Sequence, residues 1–252
     1  MGVFGYILAI GRLLLFILIV LIFLCLLLLI GLFYKKKKKK LERGILLRRF
    51  IIRVLHPILG SKITVYGKEP VESGLIVSNH RSYFDAIVIL KNILASPIGK
   101  KEVASWPLIG NVCKTTGVIF VNRENKASRD QTLKDINSVL ENGFSIYNTP
   151  EGTTHIKPTT IDFKPGAFNI AAALGVPVTP VAIDYKNMDD AWVGNDTFVP
   201  HFLKCFSKWR TEVKVSYLEP IVSDNAEELI FLSKKQIDLE LIRFRKDWNL
   251  IS

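Results

Sequence analysis

Within the seven residues NHRSYFD, a histidine and an aspartate stand five positions apart, His80 and Asp85. Together they can make a base that works at neutral pH. A carboxylate that accepts one ring N–H of an imidazole fixes its tautomer and leaves the other nitrogen able to take a proton. Ser82 is placed to cap a helix beginning near Tyr83, so a loop histidine and a carboxylate in the first helical turn would meet. Such a base suits the activation of a hydroxyl for attack on a thioester. An isolated pair at this spacing is more often structural, so the surrounding residues have to decide. The chain has no G-x-S-x-G elbow, and no serine or cysteine sits where a nucleophile is marked out. Direct attack by an acceptor hydroxyl is therefore favoured over a covalent acyl-enzyme.

Two further segments carry unusual residues. GVIFVNR ends on Arg123, whose planar guanidinium fork matches phosphate. NTPEGTT carries Glu151, Gly152 and Thr153, with a glycine that would let backbone N–H groups approach an oxyanion or phosphate. Taken singly, Arg123 could pair with a surface carboxylate and Pro150-Glu151-Gly152 could be an ordinary turn.

The elements that must position these groups follow from local pattern. Short β-branched stretches at 62–66, 75–78, 117–121, 144–147, 178–183 and 212–217 are predicted strands. Helices are predicted at 128–142, opened by a Ser128/Gln131 capping box and closed by Gly143, at 167–174, closed by Gly175, and at 225–248. This alternation implies an α/β fold, a layered and mostly parallel sheet with flanking helices. In such sheets ligands sit beyond the carboxyl ends of strands, so the loops after Ser78, Val121 and Tyr147 are the place for chemistry. They are the loops that hold His80, Arg123 and Glu151.

Residues 13–33 contain no charge and almost no polar atom. At about 1.5 Å per residue, such a run is long enough to cross a hydrocarbon core of about 30 Å. It is too long for the core of a cleaved signal peptide and lacks the polar face of a buried helix. One N-terminal transmembrane helix is therefore expected. Six lysines follow at 35–40, a topology signal that would put the rest of the chain on the cytoplasmic side, and one that also suits anionic lipid headgroups. The formal net charge is +11, and this run accounts for six of it. The basic character is thus local, and nucleic acid is not an expected partner. Residues 1–34 read as a transmembrane anchor, 35–59 as a basic membrane-proximal segment and 60–252 as the globular domain. Three cysteines, Cys25, Cys113 and Cys205, lie far apart without metal-binding spacing, which indicates neither a disulfide framework nor a zinc site.

NHRSYFD resembles the histidine-and-aspartate motif of the glycerolipid acyltransferase family, which includes the 1-acylglycerol-3-phosphate acyltransferases. GVIFVNR is similar to that family's second motif, PEGT to its third and VPVTPVAI to its fourth, in the same order and at similar intervals. GKKEVASWPLIG and FKPGAFNIAAALG resemble the stretches between them, so the likeness runs over about 63–185. The resemblance implies that His80 is the base and Asp85 its orienting partner. Arg123 and Lys100, with Lys101 as an alternative to Lys100, would hold the acceptor's phosphate. Glu151, Gly152 and Thr153 would shape the acceptor site, Pro180 would line the pocket and Lys164 would offer another anion contact. It implies a lysophospholipid acceptor, foremost 1-acylglycerol-3-phosphate, and acyl-CoA or acyl carrier protein as donor, with no metal or bound cofactor. One departure stands out: many members carry arginine after PEGT, whereas Thr154 and His155 follow here. A non-catalytic scaffold of the same fold and a thioester hydrolase are the rival classes; the presence of both His80 and Asp85 argues against the first.

Overall fold

A computed structural model describes residues 2–251. Met1 and Ser252, the outer limits of the expected first and last segments, lie outside the described residues, as do the side chains of Lys37 and Lys40 in the lysine run. The chain opens with two long helices, α1 (Val3–Phe33) and α2 (Lys37–Leu59), followed by β1 (Ser61–Tyr66) and β2 (Leu75–Ser78). Then come α3 (Phe84–Ile89), β3 (Ala95–Lys100), α4 (Ile109–Thr115), β4 (Ile119–Val121), α5 (Lys126–Glu141) and β5 (Ser145–Asn148). The last part holds α6 (Gly166–Leu174), β6 (Val178–Tyr185), α7 (Phe198–Phe206), β7 (Thr211–Tyr217) and α8 (Ala226–Asp247).

The seven strands form one sheet in the order β1-β7-β6-β2-β5-β3-β4, and only the β6–β7 pair is antiparallel. The expected mostly parallel α/β sheet is therefore present. Strands β2 and β6 are buried at every residue, as central strands covered on both faces must be. Alternate residues feed two cores. Ile76, Tyr147, Val181 and Ile183 join a cluster with α1, α2, α3 and α7, while Leu75, Val77, Ile146 and Ala182 join one with α5, α6 and α8.

Strand β3 was not expected, because Pro97 and Gly99 depress local strand preference. Its pairing with β5 on one side and β4 on the other overrides that preference. Helix α5 begins at Lys126, earlier than the Ser128/Gln131 box implies. Asn125 is the cap and accepts from Ser128 N–H (2.9 Å), while Gln131 turns to Asp135 instead. Helix α8 matches its expected limits. Asn225 caps it, Glu227 and Glu228 stand in its first turn, and Arg245 and Lys246 in its last, each sign where the helix dipole favours it.

Helix α1 is longer than the apolar run and takes in Arg12. One stripe of it, Ala9, Arg12, Phe16, Val20, Phe23 and Leu27, is buried at helical spacing. That stripe packs on α2, α4 and α7, and most of it belongs to the first core. The opposite face, including Phe4, Leu14, Leu18, Leu28 and Leu32, is exposed and apolar. Arg12 donates to the carbonyl of Phe206 (2.8 Å), at the end of α7, and to those of Lys208 (2.6 Å) and Trp209 (3.1 Å) in the turn beyond it. Gly60, left-handed at φ 66°, closes α2 against this guanidinium, and a Cβ there would collide with it.

Helix α2 is likewise half buried, through Ile45, Arg48, Ile52, Leu55 and Leu59. Arg48 donates to Thr116 O (2.7 Å) and Ala95 O, and burial lowers its pKa to about 10. Residue 34 lies between α1 and α2 and residue 59 ends α2; α1 packs on α2, α4 and α7, and α2 also meets β1.

His56 joins α2 to α3. Its Nδ1 meets Ser61 Oγ (2.6 Å) and its Nε2 meets Ile87 O (3.1 Å). Burial pushes its pKa down to about 4; the Ile87 bond opposes that shift and Lys91 adds to it. The unfolded chain takes up this proton near the ordinary value of about 6.5, so the unfolded state binds more protons between 6.5 and 4. The stability contributed by neutral His56 is full above that window and is lost as pH falls through it. Thermal unfolding in detergent micelles from pH 7.5 to 4.5 should show the wild type losing roughly 2 kcal/mol more than His56→Gln. Equal slopes would remove His56 as the cause.

Candidate active site

The parallel register brings the carboxyl ends of four strands to one edge: Val77 pairs with Asn148, Pro97 with Tyr147 and Lys100 with Val121. The loops that leave those ends carry His80, Glu151 and Arg123, and Lys100 ends β3 beside them. Strand β2 stops at Ser78 while its neighbour β6 runs on, which would leave the backbone of Ile183 without partners. The Asn79 side chain supplies both: its amide nitrogen donates to Ile183 O (2.8 Å) and its oxygen accepts from Ile183 N (2.9 Å). His80 therefore departs from a pinned position.

Asp85 is fully buried at the start of α3. Its Oδ2 accepts from His80 Nδ1 (2.8 Å), Arg81 N (2.7 Å) and Ser82 N (2.9 Å), and its Oδ1 from the Tyr185 hydroxyl (2.8 Å). The expected Ser82 cap is minor. Helix α3 starts at Phe84, whose N–H lies 3.4 Å from Ser82 Oγ, and the carboxylate satisfies the turn's donors in its place. With Nδ1 donating to Asp85, Nε2 of His80 is the unprotonated nitrogen, and it makes no protein hydrogen bond among the described residues. The imidazole is about one-fifth exposed. Burial and the neighbouring Asp85 push the Tyr185 hydroxyl well above its usual pKa, so it stays a donor.

Glu151 does not face outward. Its side chain is fully buried, with Oε2 accepting from His80 N (2.5 Å) and Oε1 from His155 Nε2 (2.8 Å) and Ile161 N (3.1 Å). Gly152 is a turn residue at φ 72° whose own N–H goes to Thr149 O (3.1 Å). Its own backbone donor is therefore engaged within the turn. Arg123 donates to the Gly152 carbonyl, which stitches the second loop to the third. It is a half-buried cation, its ionisation disfavoured by burial and favoured by Glu102.

Lys100, Lys101, Thr153 and Lys164 are exposed around this edge, and the stem of Lys164 lies against Gly152. Pro180 is buried within β6, paired with Val77 and accepting Leu218 N–H through its carbonyl, so it lies in the sheet. Among the described residues no cluster of metal-ligating side chains occurs.

The acyltransferase family profile matches residues 62–184. A lyso-ornithine lipid O-acyltransferase of Rhizobium meliloti (strain 1021) is 30% identical over 201 residues, covering 70% of this chain and 68% of that protein. This chain belongs to the acyltransferase family. Rat lysophosphatidylcholine acyltransferase 2 is 32% identical over 190 residues, which take in 71% of this chain. The match spans only 34% of the rat protein's length. In three dimensions the chain is similar to the crystal structure of the 1-acyl-sn-glycerophosphate (LPA) acyltransferase PlsC from Thermotoga maritima. The TM-score is 0.72 over 95% of both chains, at 19% identity, so this likeness speaks for the fold.

Asn79, Arg81, Asp184, Tyr185 and Arg245 were not expected at this site, and His155 was noted only as a possible extra charge. The contacts that tie them in include pairs 61 to 104 positions apart in sequence. Tyr185→Phe removes one buried bond to a charged acceptor, an interaction on the order of 1.5–3 kcal/mol, while keeping the ring in place. It should lower kcat for acyl transfer about tenfold, and Asp85→Asn should lower it by about 100-fold or more because the tautomer is no longer set. Steady-state rates of the folded variants check this order; a Tyr185→Phe enzyme as fast as wild type would confine that hydroxyl to packing.

Proposed function

We propose that this chain transfers a fatty-acyl group from a thioester, acyl-CoA or acyl carrier protein, to the free hydroxyl of a lysophospholipid. The observation that carries this reading is the His80–Asp85 contact at the carboxyl ends of parallel strands, in a partly exposed imidazole whose Nε2 has no protein partner among the described residues. In the proposed reaction, Nε2 takes the proton of the acceptor hydroxyl as its oxygen attacks the thioester carbonyl. The tetrahedral intermediate then collapses, the C–S bond breaks, and the imidazolium returns its proton to the departing thiolate. Asp85 orients the ring and stabilises its cationic form.

As acceptor we assign 1-acylglycerol-3-phosphate. The cations Lys100, Lys101, Arg123 and Lys164 around one sheet edge support a phosphomonoester, which carries up to two negative charges and gains from several charged donors. The names of relatives support the wider class. A phosphodiester or phosphate-free lysolipid is the second reading, favoured by Thr154 where many members have arginine and by His155 being turned inward, where it adds no charge to the rim. His80→Ala should lose at least about 100-fold in turnover. A panel of 1-acylglycerol-3-phosphate, lysophosphatidylcholine and lyso-ornithine lipid, each offered with acyl-CoA and acyl carrier protein, ranks the acceptors by kcat/KM. Preference for either of the last two overturns the acceptor assignment and keeps the transfer. Thioester hydrolysis that ignores every acceptor overturns the transfer.

For the membrane, the apolar length of α1 and the six lysines at 35–40 support a single crossing with the catalytic domain on the cytoplasmic side. The buried stripe from Ala9 to Leu27 favours a second form, in which α1 enters the bilayer from one side while both its ends stay on the domain. In sealed liposomes with the domain outside, and with native cysteines removed, Gly2→Cys reports directly. A crossing protects it from an impermeant maleimide until detergent is added, and one-sided entry leaves it reactive throughout.

A further inference from the structure

His155 follows the PEGT turn, and the polar atoms around its ring determine its protonation. Nδ1 faces two donors, Arg81 Nη1 (3.0 Å) and the backbone N–H of Lys157 (3.2 Å), so that nitrogen must accept. The ring proton then sits on Nε2, which donates to Glu151 Oε1 (2.8 Å). The geometry points to His155 as a positioning residue: a neutral imidazole, held as the Nε2–H tautomer, that couples Arg81 to Glu151 and thereby fixes the peptide of His80. The inference rests on the acyl-transfer reading for what His80 does, and on the contacts alone for what His155 does.

The coupling is short. Glu151 uses its other oxygen to hold the N–H of His80 (2.5 Å), and the backbone N–H of His155 reaches the carbonyl of the same residue (3.3 Å). The 149–155 loop thus grips His80 at both sides of its backbone. Arg81 completes the frame: Nη1 also donates to His155 O (3.0 Å), and Nε goes to Asp184 (3.2 Å) on β6, which is shared with Arg245 (2.9 Å) of α8. Arg81 Nη2 is buried without a protein partner, so this guanidinium has few acceptors to spare. Removing the ring deprives Arg81 of one acceptor and takes away the shorter of the two bonds to Glu151 Oε1, leaving only the Ile161 N–H on that oxygen.

The charged groups that face the ring are Glu151 from the loop after β5 and Arg81 from the loop after β2. Asp184 and Arg245 stand behind Arg81, and Lys157 belongs to the same loop as His155. A cationic His155 would set N–H against N–H at both Arg81 and Lys157. A glutamine, by contrast, presents one acceptor and one donor on a planar group of similar reach.

The test compares His155→Leu, His155→Gln and His155→Lys in the full-length enzyme, after wild type has shown transfer that depends on His80. Without that dependence the acyl-transfer reading itself has failed and the comparison is not begun. His155→Leu should lose about 10- to 100-fold in kcat, because a misplaced base costs rate, with the acceptor KM almost unchanged. His155→Gln should recover most of that loss, and His155→Lys should not. A rise in acceptor KM with kcat kept, relieved by lysine and not by glutamine, would make His155 an acceptor-charge contact and overturn the inference. Wild-type kcat in all three variants would overturn it too. Nitrogen chemical shifts of labelled histidine give a readout that requires no variant to fold. The Nε2–H form at neutral pH is expected for His155, and an Nδ1–H or doubly protonated ring would sink the proposal.

Discussion

Burying an ionised carboxylate costs several kcal/mol unless donors surround it. Asp85 lies out of contact with water, so the chain around it has to bring the donors. It does so from two directions. The turn at 80–82 folds back to offer an imidazole N–H and two backbone N–H groups, and β6 ends on a tyrosine whose hydroxyl closes the fourth position. The tight turn before α3, the choice of imidazole tautomer and the length of β6 beyond β2 all answer to this one charge. A second buried carboxylate, Glu151, repeats the logic with three donors and holds the backbone N–H of His80, whose ring Asp85 holds.

The two carboxylates grip neighbouring parts of one loop, so the floor of this edge is held by buried hydrogen bonds while its rim is exposed. Lys100, Lys101, Thr153 and Lys164 project into solvent around a floor whose polar atoms are nearly all engaged with one another. The arginine pair on Asp184 extends the floor to the C-terminal helix, since Arg245 also bonds the carbonyls of Ile156 and Lys157.

How much of this was legible in the sequence depended on the range over which each contact acts. His80 and Asp85 could be paired because five residues of a turn bring them together. The parallel sheet could be read because β2, β5 and β6 are short apolar runs. Strand β3 could not, since Pro97 argues against a strand and only its neighbours make it one. The cap of α5 was misplaced by three residues because Asn125 and Ser128 both qualify locally. Tyr185 and Asn79 escaped entirely, for their partners lie about 100 positions away. The inward turn of Glu151 was likewise invisible, because nothing in PEGT says which side of the loop its carboxylate takes.

Arg12 reaches carbonyl groups 194 to 197 positions further along the chain. During synthesis its helix is made first, whereas the acceptors it needs belong to a segment translated near the end. Until residues 206–209 have been made, Arg12 lacks the carbonyl acceptors it holds in the folded protein, so this contact forms late in synthesis and favours docking of α1 after α7 has folded. Excising the first helix to obtain a soluble enzyme would strip those carbonyls of their donor and uncover the apolar flank of α7. Helix α1 is thus bound into the folded body through its buried stripe and through Arg12.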